Sequence, residues 1–352
     1  MNPTRQMVSG ELLYTVVDDF TSVYRAAITG LITDEILGVL NAPGLTIEVD
    51  PDLLDAKIAS GGAFAVTGYV GPSTNYTVTL TMKAAGFKDF KQSIPIPLNS
   101  VFPLPAPAIA LRRAPVRLQG RVVSDTSSRA PIAGAEIVSL DDPNSPPPAV
   151  HPLALRSTLS VKHAAGIAIR EMAMDLLGNA TLQQDARAGT KTLTVSTQAG
   201  LLVGSVVRLS DAAGTRIVYA IATAVSGVGA GPVSLRDPLD TTFFAAGTTV
   251  EFLKPGAVGA VAALSADADA GDGVLLSSAP LAGGVLEIDP GAAAVEYANT
   301  GARTDADGYY AINGVGRARE LFFQASHAGF SAKVLPLAVE YGNAVNVLNF
   351  RL

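Results

Sequence analysis

The sequence predicts an all-β, multidomain protein, and three observations carry that expectation. Segments of β-branched and aromatic residues begin near the N-terminus and recur along the chain. Turn signals built on Gly, Pro, Asn and Asp separate them. A chain of 352 residues is too long for one ordinary domain, so two or three units with separate cores are expected.

Leu12-Leu13-Tyr14-Thr15-Val16-Val17 reads as a strand, and Asp18-Asp19 then supply a turn. Residues 76–82 alternate Thr with larger apolar groups, which puts Tyr76, Val78, Leu80 and Met82 on one face of a half-buried strand. Ser93-Ile94-Pro95-Ile96-Pro97-Leu98 holds two prolines, which cannot donate to a ladder and belong on an edge or in a loop.

The two ends of the chain repeat one pattern. Residues 61–68 (GGAFAVTG) are answered by 307–314 (DGYYAING), each a turn followed by an aromatic strand. Residues 80–87 are answered by 323–330, with Ala85-Gly86-Phe87 and Ala328-Gly329-Phe330 in common. Each copy closes on an apolar strand and an Arg, Arg112 in the first and Arg351 in the second. The second copy opens at 116–125 (VRLQGRVVSD), followed by 130–137 (APIAGAEI).

The strand and turn at 116–137 together with TDADGYYAINGV near the C-terminus resemble the carboxypeptidase regulatory-like family, a transthyretin-like β-sandwich. The resemblance covers roughly 80 residues in two pieces separated by about 160, and the first copy matches it in its later half only. It implies an N-terminal sandwich over 1–113, a second sandwich split between 114–142 and 301–352, and an inserted domain over 143–300.

The insertion has a repeat of its own. Residues 188–195, 200–209 and 217–220 are echoed by 270–276, 281–288 and 295–298, and Leu155-Arg156 by Leu235-Arg236. Small β units that pack side by side are expected, since one alone cannot bury its apolar face. Residues 164–177 are read as a strand followed by a short helix, because Ile167, Arg170, Glu171 and Met174 fall at helical spacing. Pro143 and Pro146-Pro147-Pro148 mark 141–152 as an extended linker at the start of the insertion.

Composition narrows the function classes. Charged residues make up 16% of the chain and hydrophobic ones 48%, and mean hydropathy is +0.33. This fits either an alanine-rich sequence or a surface buried in an assembly. The richest apolar run, near 256–264, is shorter than the roughly 18 residues of a membrane span. The first 20 residues hold no secretory h-region, so synthesis and first folding in the cytoplasm are expected. With no Cys, thiol catalysis, disulfides and cysteine-ligated metals are excluded. A net charge of −6 with scattered Lys and Arg argues against nucleic-acid binding.

Candidate chemistry is sparse. His151, His163 and His327 are the three histidines, with no pair at metal-ligand spacing. His327 falls in the repeated strand where the first copy has Ala84 or Ala85, which suggests a structural role. Asp267-Ala268-Asp269-Ala270-Gly271-Asp272-Gly273 resembles a calcium loop but has Gly271 in place of the third acid, Asp272 in place of the turn glycine and Ser278 in place of the terminal Glu. A solvated turn is expected there, and a hairpin turn at Asp305-Ala306-Asp307-Gly308. An internal Lys–Asn isopeptide link, as in the similar collagen-adhesin B-type domains, would need a Lys in the strand at 116–123, which has Arg117 and Arg121 instead.

No catalytic, cofactor-binding or metal-ligating residue is therefore assigned, and no cofactor is expected. The 188–209 segment is similar to small β domains of phage-tail and contractile-injection particles. That similarity implies a non-enzymatic structural or accessory component at a baseplate, cap or fibre, assembled with itself or with other particle proteins into a releasable particle. The alternative is a surface adhesion protein that binds a glycan or protein through loops such as 223–232.

Overall fold

The computed structural model describes residues 4–8, 11–17, 23–42, 44–51, 54–68, 76–97, 100–101, 103–146, 148–239 and 243–352, with side chains from residue 27 onward except Tyr76. Every regular element among them is a strand. The chain divides into two units, Met1–Ala114 and Pro115–Leu352. The turn expected at Asp18-Asp19 lies outside the described residues.

The first unit contains β1 (Thr4–Val8), β2 (Glu11–Val17), β3 (Val23–Asp34), β4 (Thr46–Asp50), β5 (Leu54–Ile58) and β6 (Ala63–Gly68). It continues with β7 (Tyr76–Lys83), β8 (Phe90–Ile96), β9 (Leu104–Pro105) and β10 (Ile109–Leu111). One sheet runs β1-β2-β3-β6-β5, with β9 and β10 parallel to β3, and the other runs β4-β7-β8. Their facing side chains share one core, with Ile28, Ile32 and Phe64 from the first sheet against Val78, Leu80 and Met82 from the second. Pro95 sits on β8, an edge strand, where its missing N–H costs no ladder bond.

The second unit opens with β11 (Val116–Val123) and β12 (Glu136–Leu140). Next come β13 (His151–Ala154), β14 (Ala168–Thr181), β15 (Thr192–Val195), β16 (Val206–Ser210) and β17 (Ile217–Val225). These are followed by β18 (Gly231–Leu235), β19 (Thr249–Ala263), β20 (Val274–Ser277), β21 (Val285–Ile288) and β22 (Glu296–Asn299). It closes with β23 (Ala302–Arg303), β24 (Tyr309–Val315), β25 (Glu320–Ser326), β26 (Lys333–Ala338), β27 (Val345–Val347) and β28 (Phe350–Arg351).

Strands from the two ends of this unit combine into two sheets, β24-β11-β27 with β28 on β11, and β23-β12-β25-β26. They repeat the first unit register for register. Thr46 faces Lys83 across β4 and β7 as Glu136 faces Ser326 across β12 and β25. Met82 faces Phe90 as Ala325 faces Lys333. Gly30 faces Phe64 as Gly120 faces Tyr310. The turn glycine is the shared steric device. Gly62 has φ +89° and a Cβ there would lie 2.1 Å from the Ile32 carbonyl oxygen; Gly308 has φ +75° and its Cβ would lie 2.5 Å from that of Val122. In each copy the strand N–H donates back to the glycine carbonyl, Ile32 to Gly62 at 2.9 Å and Val122 to Gly308 at 2.8 Å.

Between β12 and β23 the chain builds an eight-stranded sheet, β15-β18-β17-β16-β19-β14-β21-β22, and a two-stranded one, β13-β20. It forms two lobes of one design in permuted order. β15 to β18 with the start of β19 make one lobe, and β20 to β22 followed by β13 and the start of β14 make the other. Leu193 faces Val233 as Leu275 faces Leu153, and Val207 faces Phe252 as Leu286 faces Glu171. Arg236 N–H donates to Ile221 at 2.8 Å, as Arg156 N–H does to Asn299 at 2.7 Å. β14 and β19 pair from Ala168↔Ala263 to Thr181↔Thr249, so each begins in one lobe and ends in the other. An ion pair keeps its place with the charges exchanged, Arg208 with Glu251 in one lobe and Glu287 with Arg170 in the other.

Two expectations about strands and loops change. Residues 168–181 are one continuous strand, not a strand followed by a helix. Register shifts at Arg170/Met172 and Met172/Met174 break the two-residue alternation and leave Ile169 and Met172 both buried, and the helical spacing of Ile167, Arg170, Glu171 and Met174 does not form a helix. Residues 223–232 are not a loop throughout, because β17 runs to Val225 and β18 starts at Gly231.

Candidate functional site

Among the described residues the second sandwich has no counterpart of β5, and a cleft opens beside the gap. In the first copy β5 covers the edge of β6 through Lys57↔Ala65 and Asp55↔Thr67. The residues in the place of Ala65 and Thr67 are Ala311 and Asn313 on β24. The chain that would cover them is drawn to the other sheet, where Ala302 and Arg303 pair with Ile137 and Glu136. Thr304 fixes that course. It is 1% exposed, its Oγ1 accepts the Ala135 N–H at 2.8 Å, and it donates to the Ile132 carbonyl at 2.7 Å.

Because the Val122 N–H donates to Gly308, alternation along an antiparallel pair aims the backbone groups of 309, 311 and 313 away from β11. Asp305 serves Tyr309, its Oδ1 accepting the Tyr309 N–H at 2.9 Å and its N–H donating to the Tyr309 carbonyl at 2.8 Å. At the far end the Gly273 N–H donates to Gly314 at 2.9 Å. Between these stops, Ala311 has no strand partner on that side among the described residues.

The cleft has a volume of about 640 Å³. Its floor is the outer face of β11 and β24, with Arg117, Gln119, Tyr309 and Asn313, and its wall comes from the insertion, with Arg156, Ser157, Thr215 and Arg216. Arg303 and Asp305 close one side. Arg156 is held by Glu136 at 2.8 Å and the Gly214 carbonyl at 3.1 Å, and its Nε is buried without a hydrogen-bond partner. Arg303 lies 3.6 Å from Glu136, and Arg216 3.7 Å from Asp211. Arg117 is exposed and forms no ion pair among the described residues. Below the floor, burial raises the Tyr310 phenol above its usual pKa, and its hydroxyl donates to the Leu348 carbonyl at 2.7 Å.

The histidines do other work. His163 is buried, with Nε2 3.0 Å from Glu296 Oε2, while Glu296 Oε1 accepts the Ser160 N–H at 2.7 Å and its hydroxyl at 2.6 Å. The carboxylate stands between Ser and His, so the imidazole does not activate the hydroxyl as in a hydrolase triad. In the other lobe the places of His163 and Glu296 are held by Phe244 and Val218, both in its core. His151 Nδ1 lies 2.7 Å from Asp141 Oδ2 and ties β13 to the chain leaving β12. His327 meets the Ala328 carbonyl at 2.8 Å and the Phe330 ring edge-on.

The acidic loop is also structural. Asp267 Oδ1 accepts the Ala165 N–H at 2.8 Å, as Asp185 Oδ1 accepts that of Ala246 at 3.0 Å in the other lobe. Asp272 accepts the Asp269 N–H at 2.9 Å, where Thr190 accepts that of Arg187 at 3.0 Å. Asp272 is 3% exposed, so this is a packed turn rather than the solvated one expected. Among the described residues no three His, Asp or Glu side chains gather as a metal site, and no helix is long and apolar enough to cross a membrane. The linker at 141–152 is more structured than an extended segment, since Asp142 caps a turn at Asn144 and Ser145 and residues from His151 onward belong to β13.

Sequence reasoning missed the cleft because its residues come from five separated segments. Comparison with family models, curated proteins and solved structures finds no match.

Proposed function

We propose that this chain is a non-catalytic structural or accessory component of a phage-tail-like particle, a phage tail or contractile injection system, acting through protein–protein assembly at a baseplate, cap or fibre. The observation that carries the assembly reading is an apolar ribbon along the two strands that join the lobes. Leu176 on β14 and Val258 and Val261 on β19 are 57%, 48% and 58% exposed, amid Pro255, Ala257 and Ala260. Leu202 and Val203, on the loop whose Gly200 packs against the Leu177 carbonyl, are 67% and 68% exposed. Exposed apolar side chains gathered on one pair of strands, interrupted by the exposed Lys254–Asp175 pair, are what a protein interface covers. The polar clusters outside the cleft support the same reading, since His163, Glu296, Asp267 and Asp272 are all spent on internal hydrogen bonds.

The test is isolation of the native protein with its genomic neighbours, followed by electron microscopy and mass measurement. Co-purification in ordered particles with sheath and tube proteins is expected. Val258→Glu combined with Val261→Glu should leave the far-UV spectrum unchanged and release the chain from the particle. A wild-type chain that stays monomeric and never enters particles overturns the proposal.

A further inference from the structure

The cleft at the bare edge of β24 has a charge and hydrogen-bonding pattern that the sandwich itself does not require. In the first copy the places of Arg117, Gln119, Tyr309 and Asn313 are taken by Ala27, Thr29, Ala63 and Thr67, and the same sheet forms without them. Four guanidinium groups line the cleft. The carboxylates of Glu136, Asp211 and Asp305 stand beside them, and Arg117 is the lining arginine without an ion-pair partner. Groups that both donate and accept share the lining, namely the amides of Gln119, Asn313 and Asn349 and the outward N–H and carbonyl of Ala311. The Ser157 and Thr215 hydroxyls donate to the Ile217 carbonyl and to Asp211, which leaves them as acceptors toward the cleft, and Val347 adds an exposed apolar side chain. Tyr309 is 54% exposed, with the Arg121 guanidinium 5.0 Å from its ring centroid.

We propose that this cleft binds a short acidic oligosaccharide, a sugar chain carrying a carboxylate of the uronate type. Sugar hydroxyls donate and accept at once, which matches the amides and the acceptor hydroxyls of the walls, and a uronate carboxylate matches the Arg117 guanidinium. The face of the exposed Tyr309 ring that Arg121 does not cover is the apolar surface on which a pyranose stacks. An extended acidic peptide fits less well. It would need an open strand edge, whereas this one is stopped by Asp305 at Tyr309 and by Gly273 at Gly314. The inference stands apart from the assembly proposal, since the cleft lies on residues that the apolar ribbon does not use.

Calorimetric titration of the full chain with trigalacturonate, with a neutral galactose trimer and with the peptide Val-Asp-Val-Asp-Val provides the test. Trigalacturonate is expected to bind at least tenfold more tightly than either of the others. Arg117→Gln changes an exposed side chain and should reduce trigalacturonate affinity about tenfold with no change in the unfolding midpoint. Asn313→Ala, a second exposed position, should weaken binding of the acidic and neutral sugars alike. Equal affinity for the acidic and neutral trimers, preference for the peptide, or an Arg117→Gln chain that binds as wild type would each overturn the proposal. Particle incorporation of Arg117→Gln, measured in parallel, should match wild type, so a failed sugar site is distinguishable from a failed assembly reading.

Discussion

Exchange of His163 and Glu296 for their counterparts in the other lobe puts the two-lobe equivalence at risk most directly. His163 is 1% and Glu296 7% exposed, and the two meet at 3.0 Å. His163→Phe alone removes the group facing Glu296 Oε2 and strands a buried carboxyl, a loss of about 3 kcal/mol. Glu296→Val alone leaves the imidazole with neither nitrogen partnered, because Nδ1 already has none, and should cost about 2 kcal/mol. The double variant places at these positions the Phe and Val that the other lobe buries in its core. Replacing a buried polar pair by apolar residues of fitting shape is commonly neutral or stabilising, so the double should lie within about 1 kcal/mol of wild type. Ser160 loses its acceptor in that variant, but it is half-buried and can turn to water. Urea unfolding at neutral pH measures all four chains, and a coupling of about 4 kcal/mol between the substitutions is expected. Additive losses, with the double less stable than either single, would refute the equivalence of the two positions.

Three further outcomes can be checked on the same scale. Gly308→Ala combines positive φ with a Cβ placed 2.5 Å from a backbone oxygen, whereas Gly271→Ala has φ +86° and open space. The first should cost about 3 kcal/mol and the second about 1, and equal unfolding midpoints would remove the steric account. Asp34→Asn should destabilise the first unit by about 2 kcal/mol, because the carboxylate accepts the Ile36 and Leu37 N–H groups at 2.8 and 3.0 Å and pairs with Arg113 at 2.6 Å. Burial alone would raise the Asp34 pKa, but those backbone bonds and Arg113 hold it below 3.8. The stabilisation is therefore present above the unfolded value and lost as pH falls through the lower folded one, and the acid limb of a pH–stability curve should flatten in Asp34→Asn.

The duplicated sandwich was legible because its markers are steric. A left-handed turn against a carbonyl admits glycine alone, so Gly62 and Gly308 survive in two copies that share few other residues. The lobes were legible for a related reason, since Leu155-Arg156 and Leu235-Arg236 occupy one backbone position with one hydrogen-bond pattern. β14 was misread because Ile167, Arg170, Glu171 and Met174 recur at the three- and four-residue spacing of a helix, although Arg170 and Met174 both pair with β19 in a ladder shifted by bulges. The cleft left no local signal. Arg117, Arg156, Arg216 and Arg303 are scattered in sequence, and the feature that brings them together is the path of the chain leaving the insertion.

That path explains why the sandwich with the insertion is also the one with the bare edge. The insertion ends beside its own first strand, where the Gly301 N–H donates to the Ala154 carbonyl at 2.7 Å and Thr300 bridges Leu155. The chain therefore re-enters the sandwich next to β12 instead of next to β24, and Thr304 secures it there through Ala135 and Ile132. In the first copy nothing intervenes between β4 and β5, and the chain is free to lie along β6. One choice of entry side thus withholds a strand from β24 and places Arg156, Thr215 and Arg216 above the outer face it leaves open. An unpaired edge is normally a hazard for edge-to-edge association. Here Asp305 and Gly273 block its two ends, which keeps a strand out while leaving Ala311 accessible to a smaller ligand.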